Sequence, residues 1–246
     1  MGILNVKKQA VIVLGAGKGL GRTICHRLSG KFKCLILAGR SGENLEATVS
    51  ELRRQTPNLG TEFVIRQVEL TDRDSILAFV ESLKDIAIPV RALINTAAGF
   101  YRGKFRDQPF DLMDRLISAN YTGPVLLTAK LLQEDLKGEL IDIIHVTNVN
   151  SSTTLDSSRS SAMHTSSKAA LNIFSRVVGR ELVSDGVRLT VLAPGTFARN
   201  GREGVSEESV AHIVEFLLTL PKDAWIESVE VRPTLLSGND ECRKEG

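Results

Sequence analysis

The sequence predicts a single-domain α/β protein in three layers, a doubly wound fold with a seven-stranded parallel sheet between two layers of helices. Seven short apolar runs alternate along the chain with longer stretches in which apolar residues recur three and four positions apart. Strands that alternate with helices are joined by right-handed crossovers, so the sheet is parallel and both of its faces are covered. No internal repeat or linker divides the chain. We therefore expect one domain over residues 1–246, with roughly the last 10 residues as a frayed tail.

The apolar runs are interpreted as strands, in chain order residues 10–15 (AVIVLG), 34–39 (CLILAG), 62–68 (EFVIRQV), 91–95 (RALIN), 140–146 (LIDIIHV), 187–193 (VRLTVLA) and 225–231 (WIESVEV). The stretches with helical periodicity include residues 20–28 (LGRTICHRL), 43–54 (ENLEATVSELRR), 74–83 (DSILAFVESL) and 208–218 (ESVAHIVEFLL). A segment rich in serine and threonine, residues 148–167, follows the fifth strand. It is either a plain surface loop or part of a ligand site, because open α/β sheets bind ligands at the carboxyl ends of their strands.

Composition excludes several classes of function. Lys and Arg number 31 against 29 Asp and Glu, a net charge of +2 without a basic block, so nucleic acid is not an expected partner. The chain has no apolar run long enough to span a membrane and no signal-peptide pattern. Its three cysteines form an odd set without disulfide or metal spacing, and its four histidines also lack metal spacing. We expect a cytoplasmic protein without a metal site or membrane contact.

A glycine-rich loop, LGAGKGLGR at residues 14–22, follows the first strand and opens the first helix. Glycines at positions 15, 19 and 21 allow a tight turn and a close approach of the backbone to a pyrophosphate. The free N–H groups and the positive dipole of the helix start favour that anion. This context predicts a nucleotide site, although tight turns also need glycine.

Two basic residues near this loop favour NADP(H) over NAD(H). A NAD-binding fold places Asp or Glu on the ribose hydroxyl after the second strand, but here Gly39 is followed by Arg40. A guanidinium can hold a 2′-phosphate in a fork, whereas an acid would repel it. Lys18 inside the loop adds a second positive charge. The alternative is that Arg40 and Lys18 are ordinary solvated surface charges.

With GAGKGLG, NTAAG and a helical lysine in this order, the sequence resembles the short-chain dehydrogenase/reductase family over almost its whole length. That resemblance implies a Rossmann-type fold and a dinucleotide cofactor, here NADP(H). It departs from the family at Leu14, where threonine is usual, at Thr96 and Ala98 in the Asn-Asn-Ala-Gly motif, and at Glu69, where Asp is usual. The residues that the resemblance assigns to the cofactor are Gly15, Gly17, Lys18, Gly19, Leu20, Gly21, Arg40, Glu69, Leu70, Asn95, Ala97, Lys168, Pro194, Gly195 and Thr196.

The family's catalytic Tyr-x-x-x-Lys becomes His-x-x-x-Lys here, His164 to Lys168. The resemblance implies that Lys168 holds the nicotinamide ribose and that Asn120 supports a proton-relay water. An imidazole suits acid–base work, but its ordinary pKa is about 6.5 and a neighbouring ammonium lowers it. A histidine is also shorter than a tyrosine, so a water could fill the gap to a substrate. The alternative is a helix residue hydrogen-bonded to a neighbour with no chemical role.

The serine partner has three candidates. The family places Ser thirteen residues before its tyrosine, which by count is Ser151, whereas the end of the fifth strand would place Thr147 and Asn148 at the usual Ser-Ser pair. Each of the three can donate a hydrogen bond to a substrate oxygen. We take Ser151 as the predicted catalytic residue, together with Asn120, His164 and Lys168.

The leading functional hypothesis is an NADPH-dependent oxidoreductase of a small-molecule carbonyl or alcohol. One alternative is a catalytically silent NADP(H)-binding sensor or partner subunit, and another is a dehydratase or cyclase that uses His164 as acid or base. Family members commonly pair through two helices, here around residues 108–136 and 160–184, so a homodimer or homotetramer is expected. Only about a dozen residues separate Pro194 from the last predicted helix, which predicts a short lid and an open site. Arg199 and Arg202 could bind an acidic group there.

Overall fold

The computed structural model describes residues 8–55, 60–101, 103–134, 140–149, 161–198 and 203–234. These residues form one seven-stranded sheet in the order β3-β2-β1-β4-β5-β6-β7, and every neighbouring pair is parallel. The strands are β1 (Ala10–Leu14), β2 (Cys34–Gly39), β3 (Glu62–Gln67), β4 (Val90–Asn95), β5 (Asp142–Val146), β6 (Arg188–Pro194) and β7 (Ser228–Val231). The predicted fold class is confirmed, and each predicted strand lies within about two or three residues of its observed position.

The strand order reverses between β1 and β4. From this point β2 and β3 continue the sheet on one side, and β5, β6 and β7 continue it on the other. The loops after these two strands diverge to opposite faces, and the crevice between them is where doubly wound folds bind ligands. All residues of β1, β4, β5 and β6 are buried. Burial on both faces explains why these strands are nearly continuous apolar runs rather than alternating ones.

Seven helices cover the two faces within the described residues. They are α1 (Gly19–Leu28), α2 (Gly42–Gln55), α3 (Arg73–Ser82), α4 (Phe110–Ile117), α5 (Gly123–Gln133), α6 (Ala162–Leu182) and α7 (Glu207–Thr219). Apolar side chains of α1, α2 and α7 pack into one core, and those of α3, α5 and α6 pack into a second core on the opposite face. A single π turn, Ser118–Thr122, joins α4 directly to α5. π turns interrupt helices mostly at functional positions.

Charged side chains are buried at the starts of three central strands. Asp142 on β5 accepts hydrogen bonds from Arg91 Nη2 of β4 at 2.9 Å and from Arg188 Nε of β6 at 2.8 Å. Arg188 Nη1 also donates to the carbonyl oxygens of Pro221 and Ala224, which tie the segment after α7 to the sheet. Desolvation lowers the pKa of Arg91, and the Asp142 charge opposes that shift. This ion cluster lies at the edge of the sheet opposite the carboxyl ends of the strands.

None of the helices in the described part of the chain combines the length and apolarity needed to cross a bilayer.

Replacement of Asp142 by Ala should destabilise the protein strongly. The change leaves two buried guanidinium groups without a counter-charge, and breaking a buried ion pair from one side costs about 3–5 kcal/mol. Glu62→Gln is the control, because Glu62 pairs with Lys33 at 2.8 Å on the exposed edge of the sheet, where a pair contributes about 1 kcal/mol or less. Urea unfolding of both variants checks this. Equal losses of unfolding free energy would contradict a special role for Asp142.

Candidate active site

The glycine-rich loop between β1 and α1 takes a path that side chains would block. Gly15 has a φ of +87°, in the left-handed region that favours glycine. A Cβ on Gly21 would lie 2.2 Å from the carbonyl oxygen of Gly15, and one on Gly17 would lie 2.9 Å from Cβ of Asn44. The loop therefore folds back on itself with bare backbone facing outwards, as the spacing predicted. Such a surface fits a pyrophosphate group.

The start of α1 is open to an anion. Lys18 occupies the N-cap position, its side chain makes no capping hydrogen bond, and the first turn contains no acidic residue. The first N–H groups of a helix have no hydrogen-bond partner within it. Among the described residues, no side chain accepts a hydrogen bond from these groups of α1. Gly19 and Leu20 begin the helix at this point, and Lys18 itself is exposed. The backbone dipole and the Lys18 charge thus favour a negative ligand at the same end.

Two side chains brace the loop from behind, and the sequence analysis missed both. Arg22 donates from Nη2 to the carbonyl oxygen of Gly17 at 2.6 Å and from Nε to Thr48 Oγ1 at 3.1 Å. Thr48 Oγ1 in turn donates to the carbonyl oxygen of Ala16 at 3.1 Å. Thr48 is completely buried, so a polar residue on the buried face of α2 was the one signal available in the sequence.

The carboxyl ends of β2 and β3 lie next to the loop. Gly15 N donates to the carbonyl oxygen of Ala38 at 2.8 Å. Arg40 follows Ala38 by two residues, so it lies close to the glycine turn. The Arg40 side chain is 76% exposed, with only a long contact of 3.9 Å from Nε to Glu69 Oε2. Leu70 is buried against Gly123, where a Cβ would lie 2.3 Å from the Leu70 carbonyl oxygen. Arg40 is therefore available to an incoming anion.

The departures in the NTAA segment have structural roles. Asn95 ends β4, and its Oδ1 accepts from Ala97 N at 3.1 Å. Its Nδ2 is buried without a hydrogen-bond partner among the described residues. Thr96 Oγ1 donates to the carbonyl oxygen of Leu14 at 2.7 Å, which links the end of β4 to the start of the glycine loop. Thr96 thus connects the two halves of the crevice.

The Pro-Gly turn follows β6. Pro194 ends the strand, and Gly195 N donates to the carbonyl oxygen of Val231 in β7 at 2.7 Å. The carbonyl oxygen of Thr196 accepts from Val205 N at 2.9 Å, so the chain returns to this point after a short excursion. Residues 199–202, which include Arg199 and Arg202, lie outside the described residues.

Lys168 is the most buried charged group of the site, 2% exposed. Its Nζ donates to the carbonyl oxygens of Val146 at 2.8 Å and Ala97 at 3.1 Å. No carboxylate among the described residues pairs with it, and desolvation lowers the pKa of Lys168 to about 8. Val146 is the last residue of β5 and Ala97 lies two residues after β4, so this amine ties α6 to the carboxyl ends of the two strands.

His164 lies one helical turn before Lys168 and is partly buried. Its Nδ1 is 3.0 Å from the carbonyl oxygen of Gly99, and its ring meets the ring of Phe100 edge to face with centroids 5.1 Å apart. Burial lowers the pKa of His164, the Gly99 hydrogen bond raises it in part, and the Lys168 charge lowers it further. The ring is therefore neutral near pH 7.

Asn120 lies in the π turn and is fully buried. Its Oδ1 accepts from Gly99 N at 2.6 Å, while its Nδ2 donates to the Gly99 carbonyl oxygen and to Ser167 Oγ, both at 3.1 Å. The side chain thus forms hydrogen bonds to the loop after β4 and to α6. The sequence analysis named Asn120 but missed Gly99 and Ser167, because their contacts join segments far apart in the chain.

The three candidates for the serine role differ in position. Ser151, the predicted residue, lies outside the described residues. Thr147 directly follows β5, is 6% exposed, and its Oγ1 has no hydrogen-bond partner within the described ranges. Asn148 is partly buried beside it. Thr147 and Asn148 therefore lie at the carboxyl end of β5. In the sheet, β4 lies between this strand and β1, which the glycine loop follows.

The fold and these residues together define a Rossmann-type dinucleotide-binding architecture. Its glycine turn depends on Gly21, where any Cβ would collide with the backbone of Gly15 and with Thr96 Oγ1. Within the described residues, no group of three metal-ligating side chains comes together.

Comparison with known proteins identifies the family. Residues 9–209 match the short chain dehydrogenase family, which covers most of the 246 residues, so the chain belongs to this family of oxidoreductases. Its relatives include an uncharacterised oxidoreductase of Staphylococcus aureus (strain MRSA252), 25% identical over 234 residues, with 90% of this chain and 96% of that protein covered.

Solved structures agree with this assignment. A metagenomic short-chain oxidoreductase in complex with NADP superposes with a TM-score of 0.80 at 25% identity, over 94% of this chain and 99% of that one. L-sorbose reductase from Gluconobacter frateurii, complexed with NADPH and L-sorbose, has a TM-score of 0.82 over 97% of this chain and 100% of that one. At 17% identity, the second likeness shows the fold alone.

Lys168 should make stability depend on pH in the alkaline range. Its pKa is about 8 in the folded protein, against about 10.4 for a free lysine. Between these values the unfolded chain binds more protons, so the unfolding free energy should rise as the pH increases through this window. Urea unfolding of wild type and Lys168→Met from about pH 7 to about pH 10 isolates the effect. A difference between the two proteins that stays constant over this range would contradict the lowered pKa.

Proposed function

We propose that this protein is an NADP(H)-dependent oxidoreductase that acts on an alcohol or carbonyl group of a small molecule. The observation that carries the proposal is the set of cationic groups at one edge of the sheet: the uncapped start of α1 with Lys18, and the exposed Arg40 beside the glycine turn. A dinucleotide with one additional phosphate matches this set better than one without it. The NADP complex of the metagenomic oxidoreductase supports the same cofactor.

The residues fit that cofactor along its length. The glycine loop would receive the pyrophosphate, Arg40 and Lys18 the 2′-phosphate, and Glu69 with Leu70 the adenine side. Asn95, Ala97, Pro194, Gly195 and Thr196 surround the place where the nicotinamide would lie, at the carboxyl ends of β4 and β6. When bound, the nicotinamide supplies or accepts a hydride at its C4.

Lys168 and its surroundings prepare the reacting end of the site. The ammonium is desolvated and bonded only to backbone carbonyls among the described residues, so it can exchange one of them for a ribose hydroxyl. Burial lowers the pKa of His164 most, and the Lys168 charge lowers it further. Thr147 Oγ1 at the end of β5 has no hydrogen-bond partner among the described residues, which supports a role in holding a substrate oxygen, and Asn148 and Ser151 remain candidates for the same role.

Arg40→Asp should lower the affinity for NADPH by roughly 10- to 100-fold and leave NADH less affected. A hydrogen bond to a charged group contributes about 1.5–3 kcal/mol, and 1.4 kcal/mol is about tenfold in affinity. Titration of the purified protein with NADPH and NADH by calorimetry measures both affinities. Arg54→Asp on the exposed end of α2 makes the same change of charge away from the loop and serves as the control. Equal effects of the two variants, or no binding of either nucleotide to wild type, would overturn the proposal.

We also propose that the protein forms a homodimer through α6. An open groove on this helix is lined by Tyr121, Ala169, Ala170, Ile173, Phe174, Val177 and Val178. Ile173 is 61% exposed and Val177 is 54% exposed, an apolar strip without a charged side chain. Alanines at two consecutive positions let a second helix approach closely. A second copy fits best, because the same strip on both partners is self-complementary across a twofold axis.

Ile173→Glu should convert the dimer to a monomer, because a carboxylate buried in an apolar interface lacks a partner. Sedimentation equilibrium of wild type and variant measures the mass directly. Val183→Glu is the control, since Val183 is 53% exposed at the end of α6 but outside the groove. A monomeric wild type, or a dimer that survives Ile173→Glu, would contradict this interface.

A further inference from the structure

The hydrogen bond of His164 determines which ring nitrogen carries the proton. Nδ1 lies 3.0 Å from the carbonyl oxygen of Gly99. A carbonyl oxygen can only accept, so Nδ1 must carry the hydrogen. In the neutral imidazole the other nitrogen then has none, and Nε2 presents a lone pair. A neutral His164 held in this way can accept a proton at Nε2 but has none to donate there.

The Gly99 carbonyl group is itself held in place. Asn120 Oδ1 accepts from Gly99 N at 2.6 Å, and Asn120 Nδ2 donates to the Gly99 carbonyl oxygen at 3.1 Å. That oxygen therefore uses both of its lone pairs, one for Asn120 and one for His164. On the other side, a Cβ on Gly99 would lie 2.7 Å from Cδ2 of Leu116. The peptide of Gly99 is thus packed and bonded in one orientation.

The charged surroundings of His164 also favour the neutral ring. Burial lowers its pKa most, and Lys168 on the same helix lowers it further, against the Gly99 hydrogen bond that raises it. The loop after β4 carries Tyr101 next to Phe100. The other charged groups that the structure describes between residues 103 and 117 are exposed to solvent: Lys104, Arg106, Asp107, Asp111, Asp114 and Arg115. Within the described residues, Lys168 is the one charge with a resolved effect on this pKa.

We propose that His164 presents Nε2 as the proton acceptor of this site, so that the protein is organised to oxidise an alcohol, with Gly99 and Asn120 as positioning residues. This inference rests on the proposed NADP(H)-dependent function. Carbonyl reduction would need the imidazolium as donor, and the site disfavours that form. Near neutral pH the resting ring is therefore in the form that alcohol oxidation requires.

The oxidation step balances with NADP⁺ as the oxidant. The hydroxyl proton of the alcohol passes to Nε2 of His164, and the hydride on the carbinol carbon passes to the nicotinamide. The O–H and C–H bonds break, an N–H bond and a C=O bond form, and the carbinol carbon is oxidised. The products are the carbonyl compound, NADPH and a His164 imidazolium, which then returns its proton to solvent.

Phe100 indicates the substrate class. Its ring packs edge to face on His164 and remains 50% exposed, so a molecule that reaches Nε2 lies beside an apolar aromatic surface. Aromatic rings pair favourably at such distances. A secondary alcohol with an aromatic substituent fits this surface, and 1-phenylethanol is the probe we choose.

The tautomer can be read without any cofactor or substrate. Protein labelled with ¹⁵N-histidine should show, at about pH 7.5, a His164 ring with a protonated Nδ1 and an unprotonated Nε2 in two-bond ¹H–¹⁵N correlation spectra. Loss of the signals in His164→Gln assigns them among the four histidines. A protonated Nε2, or an imidazolium at this pH, would overturn the inference.

Asn120→Ala tests the positioning role. Without the amide, Gly99 loses two hydrogen bonds, and the Nε2–H tautomer of His164 should become detectable in the same spectra while the fold is retained. Thermal unfolding shows whether the variant folds, and Asn120→Ser is a smaller change for use if it does not. A purely structural Asn120 would leave the His164 signals of the folded variant at their wild-type positions, and that result would contradict the positioning role.

Rates give the second measure. Oxidation of 1-phenylethanol by NADP⁺ should be constant between the titration midpoints of His164 and Lys168 and fall about tenfold per pH unit below that of His164, whereas acetophenone reduction by NADPH should fall above the His164 midpoint. His164→Gln should slow oxidation by about 100-fold or more without changing NADP⁺ affinity, and His212→Gln on the exposed face of α7 should change neither. Oxidation that persists in His164→Gln would contradict the base role. If the wild-type protein does not bind NADP⁺, the proposed function itself is refuted.

Discussion

The buried ammonium of Lys168 is the interaction on which the site depends. It joins α6 to the carbonyl oxygens of Ala97, just beyond β4, and of Val146, the last residue of β5. A lysine buried without a carboxylate is unfavourable, as its lowered pKa shows. Its position therefore requires a compensating gain, and a ribose hydroxyl or another polar ligand at this edge would provide it. His164, one turn earlier, lies on the same face of α6 as Lys168 and contacts Gly99 in the loop after β4.

Charged side chains are arranged differently at the two ends of the strands. At the starts of β4, β5 and β6, Arg91, Asp142 and Arg188 form a closed cluster in which the carboxylate contacts both guanidinium groups. At the opposite ends of the strands, Lys168 is bonded to neutral carbonyls, and Arg40 is mostly exposed with one long contact of 3.9 Å to Glu69. The first arrangement balances its charges within the core. The second leaves positive charge available, which is the requirement for binding an anionic ligand.

Two of the departures from the family pattern, Thr96 and His164, make hydrogen bonds to backbone carbonyl groups at the site. Thr96 replaces an asparagine and bonds to the carbonyl oxygen of Leu14 in the glycine loop. His164 replaces a tyrosine and bonds to Gly99, which Asn120 holds by its backbone. An imidazole needs its tautomer defined before it can act in acid–base chemistry, whereas a phenol does not. The Gly99 carbonyl group defines the tautomer, and this is a physical reason for His164, Gly99 and Asn120 to be found together.

The sequence by itself determined the alternation of strands and helices, the glycine turn and the basic residue after β2, because each depends on local periodicity or on conformations that only glycine adopts readily. It also located His164 and Lys168 by their spacing. Only the tertiary structure showed that Arg22 and Thr48 support the loop, that Gly99 connects Asn120 with His164, and that Thr147 is buried at the end of β5. These contacts join segments that the strand order brings together from distant parts of the chain, and no local pattern encodes that order.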